Sequence, residues 1–130
     1  MSRLAPVFDK CRGEGRAALV GYLPTGFPDM PGSIEAVQAL VQRVETELAP
    51  IEVLLTVAGI IQVGPADAMT FDHFDQAVGT MLTGAVNTVW SVLPGMRAAQ
   101  WGRVVNVAST AGLTGYAYVS AYTAAKHGVI

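Results

Sequence analysis

Apolar positions along this chain alternate between two spacings. Residues 2–11 carry them at helical intervals, residues 13–16 read as a glycine turn, and residues 17–23 form a short uncharged run that predicts a strand. A proline-rich loop, residues 24–29, leads to a helix expected to begin near Ser33. Its stripe of Ile34, Val37, Leu40, Val41, Val44 and Leu48 is amphipathic, and Pro50 stops it. Residues 50–59 are almost continuously apolar, as strands buried in parallel sheets tend to be. Thr70 is placed to cap a long helix with Asp72 near its positive end, and Phe74, Val78, Met81, Leu82, Ala85, Val89, Val92 and Met96 form its apolar face. Residues 103–108 predict a second buried strand, ended by small residues and Gly112. A last helix opens at Ser120, read as its N-cap, and brings Tyr122 and Lys126 onto one face four residues apart. Strands alternating with helices predict an α/β unit built on a short parallel sheet.

Composition sharpens this picture. A chain of 130 residues suits one domain, which at this size buries about two-thirds of its unfolded surface. Only 14% of residues are charged and 52% are hydrophobic, with net charge −2 and mean hydropathy +0.41, the balance of a piece of a larger buried α/β domain. No basic patch suggests nucleic acid. Cys11 is the single cysteine, so no internal disulfide forms, and a reducing, cytoplasmic setting is expected. The N-terminus lacks the charged-then-apolar order of a signal peptide. Residues 76–96 carry no charge over about one membrane span. Glycine, threonine, asparagine and serine dilute that stretch, so a buried helix is expected and a membrane helix is the alternative. His73 and His127 have no second ligand at metal spacing, and Trp90 and Trp101 read as packing residues.

The candidate chemistry lies in the last third. A tyrosine hydroxyl ordinarily titrates near ~10, and a neighbouring ammonium favours its ionised form. A tyrosine and a lysine four apart on a helix can therefore act together to give a proton to a carbonyl oxygen or take one from an alcohol. Ser109, at the carboxyl end of the second strand, is separated from Tyr122 by a segment containing Gly112 and Gly115, and could hydrogen-bond the same oxygen.

Ser109, Tyr122 and Lys126, with the strand before them, resemble the catalytic serine and Tyr-x-x-x-Lys motif of the short-chain dehydrogenases/reductases. The resemblance continues upstream through residues 81–84, 68–74 and 53–59, covering roughly 37–130. It implies a partial Rossmann-like three-layer unit and NAD or NADP as cofactor. It also implies a small carbonyl or alcohol substrate. Tyr122 would be the acid/base, Lys126 its tuner and a ribose contact, Ser109 the carbonyl orienter, and Ala58-Gly59 a turn passing close to the cofactor. A strand-ending turn with no cofactor role is the alternative for Ala58-Gly59. Family members have asparagines where Thr56 and Val57 stand, and a lysine-supporting asparagine where Met81 stands. Their glycine-rich phosphate turn follows the first strand, whereas Gly13-x-Gly15 precedes one. The family's later strands would lie beyond Ile130. The resemblance further implies a homo-oligomer formed through residues 70–97 and 120–130.

Residues 2–36 resemble a different family. Their helix, strand and Pro-Thr-Gly-Phe-Pro-Asp loop are similar to the start of the tryptophan synthase α chain, without its catalytic carboxylates. The chain thus reads as a chimera joined in the helix of residues 33–48 and folding as one unit. Two functions follow. One is an NAD(P)-dependent oxidoreductase using Ser109, Tyr122 and Lys126. The other is a catalytically silent folding or oligomerisation unit in which those residues are inherited and idle.

Overall fold

A computed structural model describes residues 9, 10, 12–14 and 29–130. The readings of residues 2–8, Cys11, the strand at 17–23 and most of the loop at 24–29 lie outside the described residues. The described elements are α1 (Met30–Glu47), β1 (Val53–Thr56), α2 (Phe71–Val78), α3 (Gly84–Ala98), β2 (Arg103–Asn106) and α4 (Ser120–Val129). A π-helical turn, Gly79–Thr83, joins α2 to α3, and short 3₁₀ turns cover Ala66–Ala68 and Thr110–Gly112.

Helix α1 starts earlier than expected. Asp29 accepts from the Gly32 N–H at 2.7 Å, and Pro31 occupies the first turn, where a missing N–H costs nothing. Val37 and Val41 of the predicted stripe are buried against Val92 and Met96 of α3, with Ile51 and Leu54 packed onto them. Leu48, at the stripe's end, is 67% exposed, because it follows the last residue of α1, beyond the turns that pack on that cluster.

The two strands pair in parallel, with Val53 opposite Arg103 and Thr56 opposite Asn106. Bonds from the Arg103 N–H to the Glu52 carbonyl and from the Val107 N–H to the Thr56 carbonyl, both 2.9 Å, close the ends of the ladder. Each strand is shorter than its apolar run, because only the residues facing a partner are held in the ladder. Nor are the strands buried on both sides. Leu54 packs on the helices, whereas Val53, Leu55, Val57, Val105 and Val107 are exposed. The unit is Rossmann-like and partial: of three expected layers, the described residues supply the sheet and the helices on the Leu54 side.

Thr70 caps α2 by accepting from the His73 N–H at 3.2 Å, with Asp72 in the first turn. The expected single helix then widens through the π turn, which carries Met81 into a second cluster with Ala77, Ala121 and Ala125. Ser120 is the first residue of α4, not its cap. Val119 holds the N-cap position with no side-chain bond, because Tyr118 turns the chain one residue earlier at φ 66°. That left-handed conformation costs a non-glycine residue about 1–2 kcal/mol. No described helix is long and apolar enough to cross a membrane.

The two clusters give the stripe residues unequal weight. Met96→Ala is expected to cost about 2–5 kcal/mol through the cavity it leaves, and exposed Leu48→Ala less than about 0.5 kcal/mol. Urea unfolding of both variants checks the contrast.

Candidate functional site

The carboxyl ends of β1 and β2 meet the amino-terminal half of α4. At the end of β1, the Thr56 hydroxyl donates to Asn106 Oδ1 across the sheet at 2.8 Å. Thr56 therefore ties the two strand ends together. Past β2 the chain stays extended through Ser109, whose Oγ accepts from the Ala111 N–H at 3.1 Å and so opens the 3₁₀ turn. Among the described residues no acceptor takes the serine's own proton.

Gly112 lets this turn press onto α4. A β-carbon there would lie 2.5 Å from the Lys126 carbonyl oxygen, a contact no real side chain makes. Gly59 is different: a β-carbon would sit 3.7 Å from Met81 Sδ and 4.0 Å from Lys126 Nζ, which is ordinary packing. Gly59, Met81 and Lys126 are thus neighbours, although they come from three separate elements.

Lys126 is 4% exposed. Its ammonium donates to the Val107 carbonyl at 2.7 Å and lies 5.8 Å from the Tyr122 ring centroid. An ammonium carries three N–H donors, and among the described residues no carboxylate pairs with this one. Tyr122 is half-buried and packs beside Ala121, Ala125 and Met81. The structure therefore brings Lys126 and Tyr122 together, sets Gly59 against Lys126, and places Ser109 in the segment running from Val107 to Gly112. Ala58 is half-buried, one residue before Gly59.

Three features of this region were not read from the sequence. The Val107 carbonyl anchors the ammonium and carries no side-chain signal. Asn106 is found only through the register that sets it opposite Thr56. The Tyr118 carbonyl accepts from the Gly64 N–H at 2.9 Å, joining the segment after β1 to the one before α4. Away from Lys126, the exposed His127 donates from Nδ1 to the Thr123 carbonyl at 2.8 Å. Among the described residues, no group of three potential metal ligands converges.

This geometry defines a parallel α/β unit whose polar residues collect at the carboxyl ends of its strands. The short chain dehydrogenase family profile matches residues 26–130, and the chain belongs to that family. It is 34% identical to the D-beta-hydroxybutyrate dehydrogenase of Cupriavidus necator over 116 residues, 89% of this chain and 43% of that protein. It is 39% identical over 90 residues to an uncharacterized oxidoreductase of Bacillus subtilis, 69% of this chain and 35% of that protein. The chain thus spans less than half the length of these relatives. A second match is 66% identical over 41 residues to the tryptophan synthase alpha chain of Mycobacterium tuberculosis H37Rv, 32% of this chain and 15% of that protein. The 116-residue and 41-residue matches together exceed the chain, so they overlap.

The two glycines differ in what they tolerate. Gly112→Ala is expected to destabilise the fold by about 1–3 kcal/mol, as overpacking does, while Gly59→Ala changes it by less than about 0.5 kcal/mol. Thermal unfolding of both variants tests the close approach of the turn to α4.

Proposed function

We propose that this chain is the core of a short-chain dehydrogenase/reductase acting with NAD or NADP on a small carbonyl or secondary alcohol in the cytoplasm. The supporting observation is the buried Lys126 ammonium, anchored once by Val107 and set beside Tyr122. One main-chain acceptor leaves two N–H donors, a set that fits the paired hydroxyls of a ribose. Lys126 would hold the nicotinamide ribose of the cofactor, with Gly59 alongside. When bound, the reduced cofactor supplies the hydride for the carbonyl carbon.

The remaining steps belong to this chain's own residues. Ser109 donates its hydroxyl proton in a hydrogen bond to the substrate oxygen and orients it. Tyr122 transfers a proton to that oxygen during reduction, or takes one from the alcohol during oxidation. Lys126 keeps a positive charge beside the phenol. Met81 gives this cluster an apolar floor where family members use an asparagine.

A second reading rests on apolar surface. Phe71 and Trp90 on the long helical segment are 85% and 68% exposed, and residues 70–97 with 120–130 would form the contact of a homo-oligomer. In this reading a chimera of tryptophan-synthase-like and dehydrogenase-like segments serves as an assembly unit, with the triad idle.

Tyr122→Phe is expected to lower NAD(P)H-dependent carbonyl reduction by about 10²–10⁴-fold with the fold intact by circular dichroism. Acetoacetate and 3-hydroxybutyrate are the first substrates to assay, given the C. necator relative. Equal activity in wild type and variant would defeat the enzyme reading. For the assembly, sedimentation should give more than one subunit in the wild type and a shift to monomer in Trp90→Glu.

A further inference from the structure

We propose that Thr56 and Asn106 are positioning residues for Lys126: their side-chain bond locks the last rung of the ladder, and with it the Val107 carbonyl on which the ammonium rests. The inference deepens the oxidoreductase reading, on which it rests for the role of Lys126 toward a ribose.

Strand β1 ends at Thr56 and β2 at Asn106, and the two residues are register partners. A terminal rung opens more easily than those inside a ladder, because it is held from one side alone. Here a single residue holds it twice. The Thr56 carbonyl accepts from the Val107 N–H at 2.9 Å, and the Thr56 hydroxyl donates to Asn106 Oδ1 at 2.8 Å. Threonine is stiff at χ1, so the direction of its hydroxyl is largely set by the strand.

Val107 carries this restraint to the site. Its N–H is held by β1, and its carbonyl accepts from the Lys126 ammonium at 2.7 Å. Two successive peptide groups thus join β1 to α4 through one residue. Lys126 is 4% exposed, and a buried ammonium stands where its acceptor stands. From Thr56 the chain also reaches Gly59 in three residues, where a β-carbon would lie 4.0 Å from Lys126 Nζ. A shift of the rung therefore displaces both walls around the ammonium.

The identity of residue 106 supports the same role. Asparagine is depleted in strands, and Asn106 is the polar member of a cavity wall that includes Leu82, Val86, Val89 and Trp90. Departures from local preference of this kind concentrate at functional sites.

NMR of the full-length chain tests this directly, since Lys10 and Lys126 are its two lysines. Lys10, with its side chain 58% exposed, should exchange its ammonium protons quickly, and Lys126 should give a slowed signal. Thr56→Val should speed exchange at Lys126 Nζ and at the Val107 amide by about 3–10-fold, and Thr56→Ser should restore both. The Arg103 amide, bonded to Glu52 at the other end of the ladder, should be unchanged. Unchanged Lys126 exchange in Thr56→Val overturns the proposal, as does a Lys126 signal that is not slowed in the wild type. If Thr56→Val does not fold, Asn106→Leu removes the acceptor and is read in the same way; failure of both to fold makes the pair a support of the fold, not of the lysine, and overturns the proposal. In turnover, Thr56→Val should raise the KM for NAD(P)H about 3–10-fold with kcat changed less than about 2-fold, the pattern of lost ground-state binding, and an effect confined to kcat counts against it. A wild type without turnover would defeat the oxidoreductase reading and leave the ammonium signal to decide the positioning.

Discussion

An ammonium taken out of water costs several kcal/mol unless its protons find acceptors, and Lys126 meets that demand through the main chain. Its bond to the Val107 carbonyl joins α4 to the residue that leaves β2. One interaction therefore sets the rotation of the helix carrying Tyr122 against the strand end carrying Ser109. Gly112 makes a second clasp, since only the lack of a side chain lets the 3₁₀ turn approach the Lys126 carbonyl. Breaking the ammonium bond would leave a buried charge without an acceptor and free the helix to turn.

The packing beneath this clasp follows from small residues and one wide helical turn. Ala77, Ala121 and Ala125 let α2 and α4 come close, and the π turn carries Met81 into their cluster. Such wide turns recur at functional sites, and here Met81 and Lys126 both come within 4.0 Å of the place a β-carbon on Gly59 would take. The other cluster, Val37, Val41, Val92 and Met96, holds α1 and α3 on the sheet. The first cluster supports the candidate chemistry, and the second anchors the layer to which it is attached.

The high apolar content of the chain has a physical outlet in this architecture. The sheet face opposite Leu54 presents Val53, Leu55, Val57, Val105 and Val107 to solvent, the residues that a further layer covers in a complete Rossmann-like domain.

Much of this was legible from local pattern. Thr70 as a cap, the α1 stripe, the alternation of strands and helices, and the four-residue spacing of Tyr122 and Lys126 depend on neighbours in sequence. They follow from backbone periodicity and capping chemistry alone. The N-terminal ends of α1 and α4 were shifted by Asp29 and Tyr118, because caps are decided by single dihedral angles and not by apolar spacing. The pairing of Thr56 with Asn106, the Val107 carbonyl beneath Lys126, the need for glycine at 112 and the exposed face of each strand came only with the tertiary structure. Each depends on residues distant in the chain meeting in space: register sets the first, helix docking the second and third, and the number of layers on the sheet the last.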